Sequence, residues 1–264
     1  MNSSQPLEPV SAAGLDALAR LVRDAGALIM DIYATDFAVR GKEDASPVTE
    51  ADEKAEALLL KGLARLFPGI PVVAEEAVAA GGVPEAAEDQ FWLVDPLDGT
   101  KEFISRNGEF TVNVALVRLG QPVLGVVYAP ALETLYAGAQ GLGAWAERGG
   151  QRQPIQVRTV PQAGLTVVGS RSHGDADAMN AFLAGRTVAE FRGAGSSLKL
   201  CLVAAGEADL YPRLGRTMEW DIAAGHAVLA AAGGSVSRVD SGAPLTYGKP
   251  GFENPHFVAA GMVG

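Results

Sequence analysis

The chain has 264 residues, 48% of them hydrophobic and 20% charged, which is ordinary globular composition and enough length for a sizeable core. Its formal charge of −10 and pI near 4.8 remove the basic field that a nucleic-acid polymer would need, while a small anion remains a suitable ligand if bound cations reverse the local sign. Cys201 is the only cysteine, which excludes an intrachain disulfide and a thiolate-built zinc site and fits a reducing, cytoplasmic setting.

Met1 to Pro9 is short and polar without a basic cluster, unlike a signal peptide. The most apolar stretch, Ile222 to Ala232, has about half the length needed to cross a bilayer, so no transmembrane segment is expected. From Ala12 to Tyr33, Leu15, Leu18, Leu21, Val22, Ala25, Leu28, Ile29 and Ile32 recur at helical spacing opposite Asp16, Arg20, Arg23 and Asp24. A second amphipathic helix is predicted from Thr49 or Glu50 to Leu66, closed by Phe67-Pro68-Gly69. Pro71–Ala74 and Phe91–Val94 read as buried strands that deliver acidic residues at their C-terminal ends, and Ala77–Asp89 between them as a surface loop.

Strand-like runs at Thr111–Val117, Val123–Tyr128 and Thr134–Tyr136, separated by turn residues, predict an antiparallel meander over Phe110–Trp145. Gly149-Gly150 marks a hairpin tip before Pro154–Arg158. Beyond the strand Leu165–Val168 the pattern alternates, with helices at Asp175–Leu183, Ser196–Ala205 and Met218–Ala232 and strands at Val188–Arg192 and Ala208–Tyr211. The expected organisation is an N-terminal unit over 1–150, of two helices and an antiparallel sheet, and an α/β unit over 151–264. No Gly-x-Gly-x-x-Gly follows the first strand, which argues against a dinucleotide-binding layout.

The chemistry concentrates in Trp92-Leu-Val-Asp-Pro-Leu-Asp-Gly-Thr-Lys-Glu-Phe103, an apolar strand that ends in two aspartates three residues apart. Two carboxylates delivered together by a buried strand are costly without a cation. The alternative for Asp98 is a helix N-cap. Val73-Ala-Glu-Glu76 precedes this segment, Ser46-Pro-Val-Thr-Glu-Ala-Asp52 lies further upstream, and Glu219-Trp-Asp-Ile-Ala-Ala-Gly-His226 lies downstream. In order and wording the four segments resemble the signatures of the inositol monophosphatase superfamily. Few histidines and a lone cysteine beside abundant carboxylates independently favour a hard cation over zinc.

That resemblance implies an α/β layered sandwich (α-β-α-β-α) of the type shared with fructose-1,6-bisphosphatase. It implies Mg2+, two ions and in many relatives a weaker third, held by Glu75, Asp95, the Leu97 carbonyl, Asp98 and Asp221. Thr100 paired with Asp52 becomes the water-activating couple, with Glu75 on the same water. Lys101-Glu102 after Asp-Gly-Thr, the Gly195-Ser-Ser-Leu-Lys199 run, Leu210-Tyr-Pro-Arg213 and Gly169-Ser-Arg-Ser-His173 resemble the bisphosphate nucleotidase branch.

On that branch the substrate contacts fall on Asp98, Gly99, Thr100, Lys101, Ser172, His173, Ser196, Ser197, Lys199, Arg213 and Asp221. The implied substrate is the small phosphorylated nucleotide adenosine 3',5'-bisphosphate, a by-product of sulfate assimilation, with its phosphosulfate form as another. Lithium inhibition, a homodimer and peripheral contact with the inner membrane are further implications. The alternatives are a broad-specificity inositol- or sugar-phosphate phosphatase and, from another class, an inactive nucleotide- or metal-binding regulator. For Gly195–Lys199 the alternative is an ordinary capped helix start with an exposed lysine. His226 reads as a buried structural histidine.

Overall fold

A computed structural model of the chain describes residues 7–41, 47–82, 89–170 and 176–262. Helix α1 (Ala12–Tyr33) starts at Ser11, whose Oγ accepts the Gly14 N–H, and buries the apolar stripe read from its spacing. After the small hairpin β1 (Val39–Gly41) and β2 (Pro47–Thr49) comes α2 (Glu50–Leu66), entered through a capping box. Thr49 Oγ1 accepts the Ala51 N–H, and Asp52 Oδ2 accepts the Thr49 N–H at 2.9 Å.

The chain then forms β3 (Val72–Ala74), the short helix α3 (Glu75–Ala79), β4 (Gln90–Asp98) and α4 (Thr100–Ile104). The expected loop at Ala77–Asp89 is thus helical at its start, because the backbone N–H groups of Glu76 and Ala77 find an acceptor in the Glu56 carboxylate. Residues 83–88 of that span lie outside the described residues. The meander is β5 (Thr111–Arg118), β6 (Gln121–Ala129), β7 (Thr134–Ala139), β8 (Gly143–Arg148) and β9 (Gln151–Ile155). It completes a seven-stranded sheet of order β3-β4-β5-β6-β7-β8-β9, antiparallel except for the parallel pair β3 and β4. The sheet therefore runs past the hairpin at Gly149-Gly150 to Ile155.

The remainder gives β10 (Leu165–Gly169), α5 (Ala176–Leu183), β11 (Val188–Gly193), α6 (Leu198–Ala204), β12 (Leu210–Arg213), α7 (Glu219–Ala231), β13 (Ser235–Arg238) and β14 (Phe257–Ala260). A second sheet has the order β11-β10-β12-β14-β13. Its last two strands were not anticipated, since Ser235–Arg238 is short and polar and Phe257–Ala260 follows a turn-rich stretch.

The layers follow from which face each strand residue buries. Trp92, Val94, Val112, Val114 and Leu116 pack with Leu18, Ile29, Leu59 and Leu63 of α1 and α2. Phe91, Leu93, Ala115, Val117 and Val127 point the other way and pack with Val203, Ala224 and Val228 of α6 and α7. These two helices also cover the second sheet through Tyr211, Val236 and Phe257, while Phe182 and Leu183 of α5 pack on its outer side. The order is α-β-α-β-α, the expected layered sandwich. A helix between two sheets must be apolar over most of its surface, as α7 is beyond its first turn apart from His226. Gly125 on β6 lets it approach closely: a Cβ there would stand 2.3 Å from the Ala224 carbonyl oxygen.

Candidate active site

The parallel pairing of β3 with β4 brings two C-terminal strand ends to one edge of the sheet. Glu75 opens α3 directly after β3, and Asp95 to Asp98 end β4. Opposite Asp95 and Asp98 on β5 stand Asn113 and Thr111, so three steps of β4 face two of β5. This bulge at Pro96-Leu97 turns both aspartates to the same end of the sheet. Gly99 follows at φ 91°, a left-handed value that lets the chain enter α4 at once and makes Gly99, not Asp98, the residue before the helix.

Asp95 is 1% exposed, and its Oδ1 accepts the Leu97 N–H at 3.0 Å. Asp52, also buried, takes both the N–H and the hydroxyl of Thr49 on Oδ2, leaving Oδ1 toward Thr100. The Thr100 hydroxyl lies 3.3 Å from Asp52 Oδ1 and 3.3 Å from the Leu97 carbonyl oxygen. Its proton has those two acceptors and its lone pairs remain for a water. Burial holds the Asp52 carboxyl above the ordinary aspartate range despite the bonds from Thr49.

Asp221 lies in the first turn of α7, where its Oδ2 accepts the Met218 N–H at 2.8 Å. It shares with Glu75, Asp98, Gly99, Thr100, Lys101, Ser196, Ser197, Lys199 and Arg213 the lining of one cavity of about 360 Å3. The structure thus brings together from five stretches most of the residues singled out in the sequence. Ser172 and His173 lie outside the described residues, although Ser170 beside them reaches the cavity. Burial raises Asp98 to about 6, opposed chiefly by the Lys199 ammonium, and raises Asp221 well above the usual carboxylate value, with Asp98 and Glu75 adding repulsion.

Among the described residues no three carboxylate, imidazole or thiol groups converge into a ready-made cation cage. The cavity nonetheless fits a hard cation. Its ionisable ligands are all carboxylates, with no imidazole or thiol in the lining, and they repel one another in a buried space that a divalent ion would neutralise.

Elsewhere in the lining, the alternative of an ordinary capped helix start with an exposed lysine fails. Ser197 precedes α6 without capping it; its hydroxyl donates to the Asp221 carbonyl. Lys199 is 6% exposed, with Nζ donating to the Ser196 carbonyl at 2.7 Å and the Ala194 carbonyl at 3.2 Å beneath the Tyr211 ring. Burial pulls its ammonium down to about 8. Ser196 Oγ and Arg213 Nε are buried and find no hydrogen-bond partner among the described residues. Two orphaned donors in the wall of a cavity are costly unless a ligand takes them.

Sequence reasoning passed over Tyr211, Thr217, Arg216 and Glu102, which also line the cavity, and Glu56 behind it. Arg213 alone pointed to the loop that carries Arg216, since its Nη2 donates to the Arg216 carbonyl. His226 is buried as expected, with Nδ1 2.8 Å from the Tyr247 hydroxyl.

Five layers with a carboxylate-lined cavity beside a hydroxyl- and guanidinium-bearing wall define the layered α/β phosphatase class. The model of the inositol monophosphatase family matches residues 12–260, and the chain belongs to that family. The 3'(2'),5'-bisphosphate nucleotidase CysQ of Escherichia coli O157:H7 is 49% identical over 246 residues, 92% of this chain and 98% of that protein. The protein of the same description from Buchnera aphidicola is 41% identical, with 94% of each chain covered. Among solved structures, CysQ from Bacteroides thetaiotaomicron superposes with a TM-score of 0.80 at 37% identity, covering 96% of this chain and 98% of that one. Inositol monophosphatase from Anabaena gives a TM-score of 0.73 at 29% identity, covering 94% and 90%. Members of the family generally use Mg2+. No helix among the described residues is long and apolar enough to cross a membrane.

Proposed function

We propose that this chain is a 3'(2'),5'-bisphosphate nucleotidase that hydrolyses adenosine 3',5'-bisphosphate to AMP and phosphate. The observation that carries the reading, beside the kinship with CysQ proteins, is one cavity with two kinds of wall. A substrate with two separate phosphates needs both. The reacting phosphate belongs with Glu75, Asp98 and Asp221, and the uncleaved one with Ser196, Arg213 and the charge of Lys199.

Magnesium, in two ions on this reading, supplies charge neutralisation at the reacting phosphate and acidifies its water when bound. Glu75, Asp95, the Leu97 carbonyl, Asp98 and Asp221 are the residues that hold it. The protein's own work is positioning. Thr100 orients the attacking water opposite the leaving 3' oxygen, and Asp52, whose raised pKa suits it to receive a proton, takes that proton through the Thr100 hydroxyl.

An inositol or sugar monophosphatase would leave Ser196 Oγ and Arg213 Nε without a purpose. An inactive regulator would have no need for every acidic position of the four motifs. Phosphate release from adenosine 3',5'-bisphosphate, its phosphosulfate form, inositol 1-phosphate and a 3'-mononucleotide, with magnesium present or chelated, tests the reading. A clear preference for inositol 1-phosphate would replace it with the monophosphatase; no release from any of them would favour the regulator.

A further inference from the structure

Gly195 and Ser196 begin the wall that faces the uncleaved phosphate, and the backbone there is unusual. Ser196 has φ 40°, a left-handed value that a residue with a Cβ adopts at a cost, and its hydroxyl is buried and unpartnered among the described residues. Such a conformation persists only where neighbours over-determine it. The neighbours on the C-terminal side are those already described: the Ser197 hydroxyl is tied to the Asp221 carbonyl, and the Lys199 ammonium to the carbonyls of Ala194 and Ser196.

On the N-terminal side the anchor is Glu109, half-buried in the loop between α4 and β5. Its Oε2 accepts the Gly195 N–H at 2.8 Å, and its own N–H is fixed by Asn107 Oδ1 at 2.9 Å. The fit is close: a Cβ on Gly195 would stand 2.6 Å from the Glu109 carbonyl oxygen and 2.9 Å from Glu109 Cβ. A carboxylate beside a site meant for a phosphate would repel that phosphate, so its placement needs a reason other than substrate contact. Here the reason is the backbone donor it engages, in a charge-assisted bond stronger than a neutral one.

We propose that Glu109 is a positioning residue for substrate specificity: by holding the Gly195 N–H it fixes Ser196 in its left-handed conformation, with the hydroxyl set for the uncleaved phosphate. The inference rests on the bisphosphate reading of the same wall. Because Ser197 has its own bond to the Asp221 carbonyl, loss of Glu109 releases the Ser196 end of the turn and leaves the Ser197 end in place. The expected defect is therefore confined to substrates with a second phosphate.

The test compares KM and kcat of the full chain, Glu109→Ala and Glu109→Gln on adenosine 3',5'-bisphosphate and on a 3'-mononucleotide, with thermal melts of each. Glu109→Ala should raise the KM for the bisphosphate about tenfold more than the KM for the mononucleotide, and Glu109→Gln, which retains an acceptor, should recover most of that difference. Gly195→Ala, which pushes the turn off Glu109 from the other side, should reproduce the selective defect even if Glu109→Ala folds poorly. Equal effects on both substrates, or an unchanged bisphosphate KM in Glu109→Ala and Gly195→Ala, would overturn the proposal. Failure of the underlying reading shows differently, as an unmutated chain that does not prefer the bisphosphate.

Discussion

The carboxylate of Glu56, in the middle of α2, accepts the backbone N–H of Glu76 at 2.8 Å, so that one helix caps the start of the next. The second oxygen takes the Ala77 N–H at 2.9 Å. Glu56 is 6% exposed, and a buried carboxylate with two backbone donors is a rigid support. What it supports is the first turn of α3, and hence Glu75. Glu56→Ala should weaken the apparent affinity for magnesium by about tenfold, as the loss of support behind a metal ligand typically does, with a smaller change in substrate KM. Titration of activity with magnesium checks this; an unchanged half-saturating concentration would separate Glu56 from the metal site.

Asp95, one of the carboxylates proposed to hold magnesium, is almost wholly buried. Asp95→Asn should abolish turnover while the melting temperature stays close to that of the unmutated chain, because the amide can still accept the Leu97 N–H. Removal of a dominant electrostatic contact normally costs a factor of about 100 or more. Retention of more than about a tenth of the rate at saturating magnesium would remove Asp95 from the proposed magnesium site.

For the water-activating couple the geometry favours one probe over the other. Asp52→Asn disturbs the capping box as well as the bond to Thr100, since Oδ2 serves Thr49, so it should lower both activity and stability. Thr100→Ala leaves the capping box intact and removes only the hydroxyl shared between Asp52 and the Leu97 carbonyl. It should lower kcat with little change in KM, which steady-state kinetics on adenosine 3',5'-bisphosphate will show. A raised KM at unchanged kcat would make Thr100 a substrate contact instead.

These residues differ in how visible they are in the sequence. Asp95, Asp98, Asp221 and Thr100 sit in contiguous motifs next to recognisable strand and helix boundaries, so local pattern and resemblance single them out as candidates. Glu56 and Glu109 were invisible for a physical reason. Each acts through a backbone N–H far away in the chain, 20 residues for Glu76 and 86 for Gly195, and a backbone donor leaves no side-chain signature. The layers were legible because β4 and β5 alternate large apolar residues between two faces, whereas β13 and β14 depend on pairing with each other and carry weak patterns of their own.

Lys199 illustrates how burial changes an expectation. Read from sequence as a direct phosphate contact, it lines the cavity with its ammonium bonded to two backbone carbonyls. Lys199→Ala should still raise the KM for the bisphosphate by about tenfold or more. It should also destabilise the fold by about 1–3 kcal/mol, because two buried carbonyls lose their donor. Thermal denaturation alongside kinetics separates the two effects; an unchanged melting temperature would mean that Nζ is free to leave the carbonyls for the substrate.

His226 gives a prediction about pH that is independent of the catalytic site. It lies on α7 with 6% exposure, Nδ1 2.8 Å from the Tyr247 hydroxyl, and burial pulls its imidazolium down to about 4 from an unfolded value near 6.5. The folded chain therefore binds the proton more weakly than the unfolded chain. Between pH 6.5 and 4 the unfolded state carries more of it, so this contribution to stability is complete above pH 6.5 and is lost as pH falls through 4. The interval corresponds to roughly 3 kcal/mol. Many carboxylates titrate over the same range, so the measurement must be differential. Denaturant unfolding at pH 7, 5.5 and 4 should show the unmutated chain losing about 3 kcal/mol more than His226→Gln, which has no proton to bind. The variant should start from lower stability at pH 7, where its fit against Tyr247 is poorer, and the two curves should approach each other on acidification. Parallel curves would mean that the imidazole is already charged or solvated in the folded protein, contrary to its place between the two sheets.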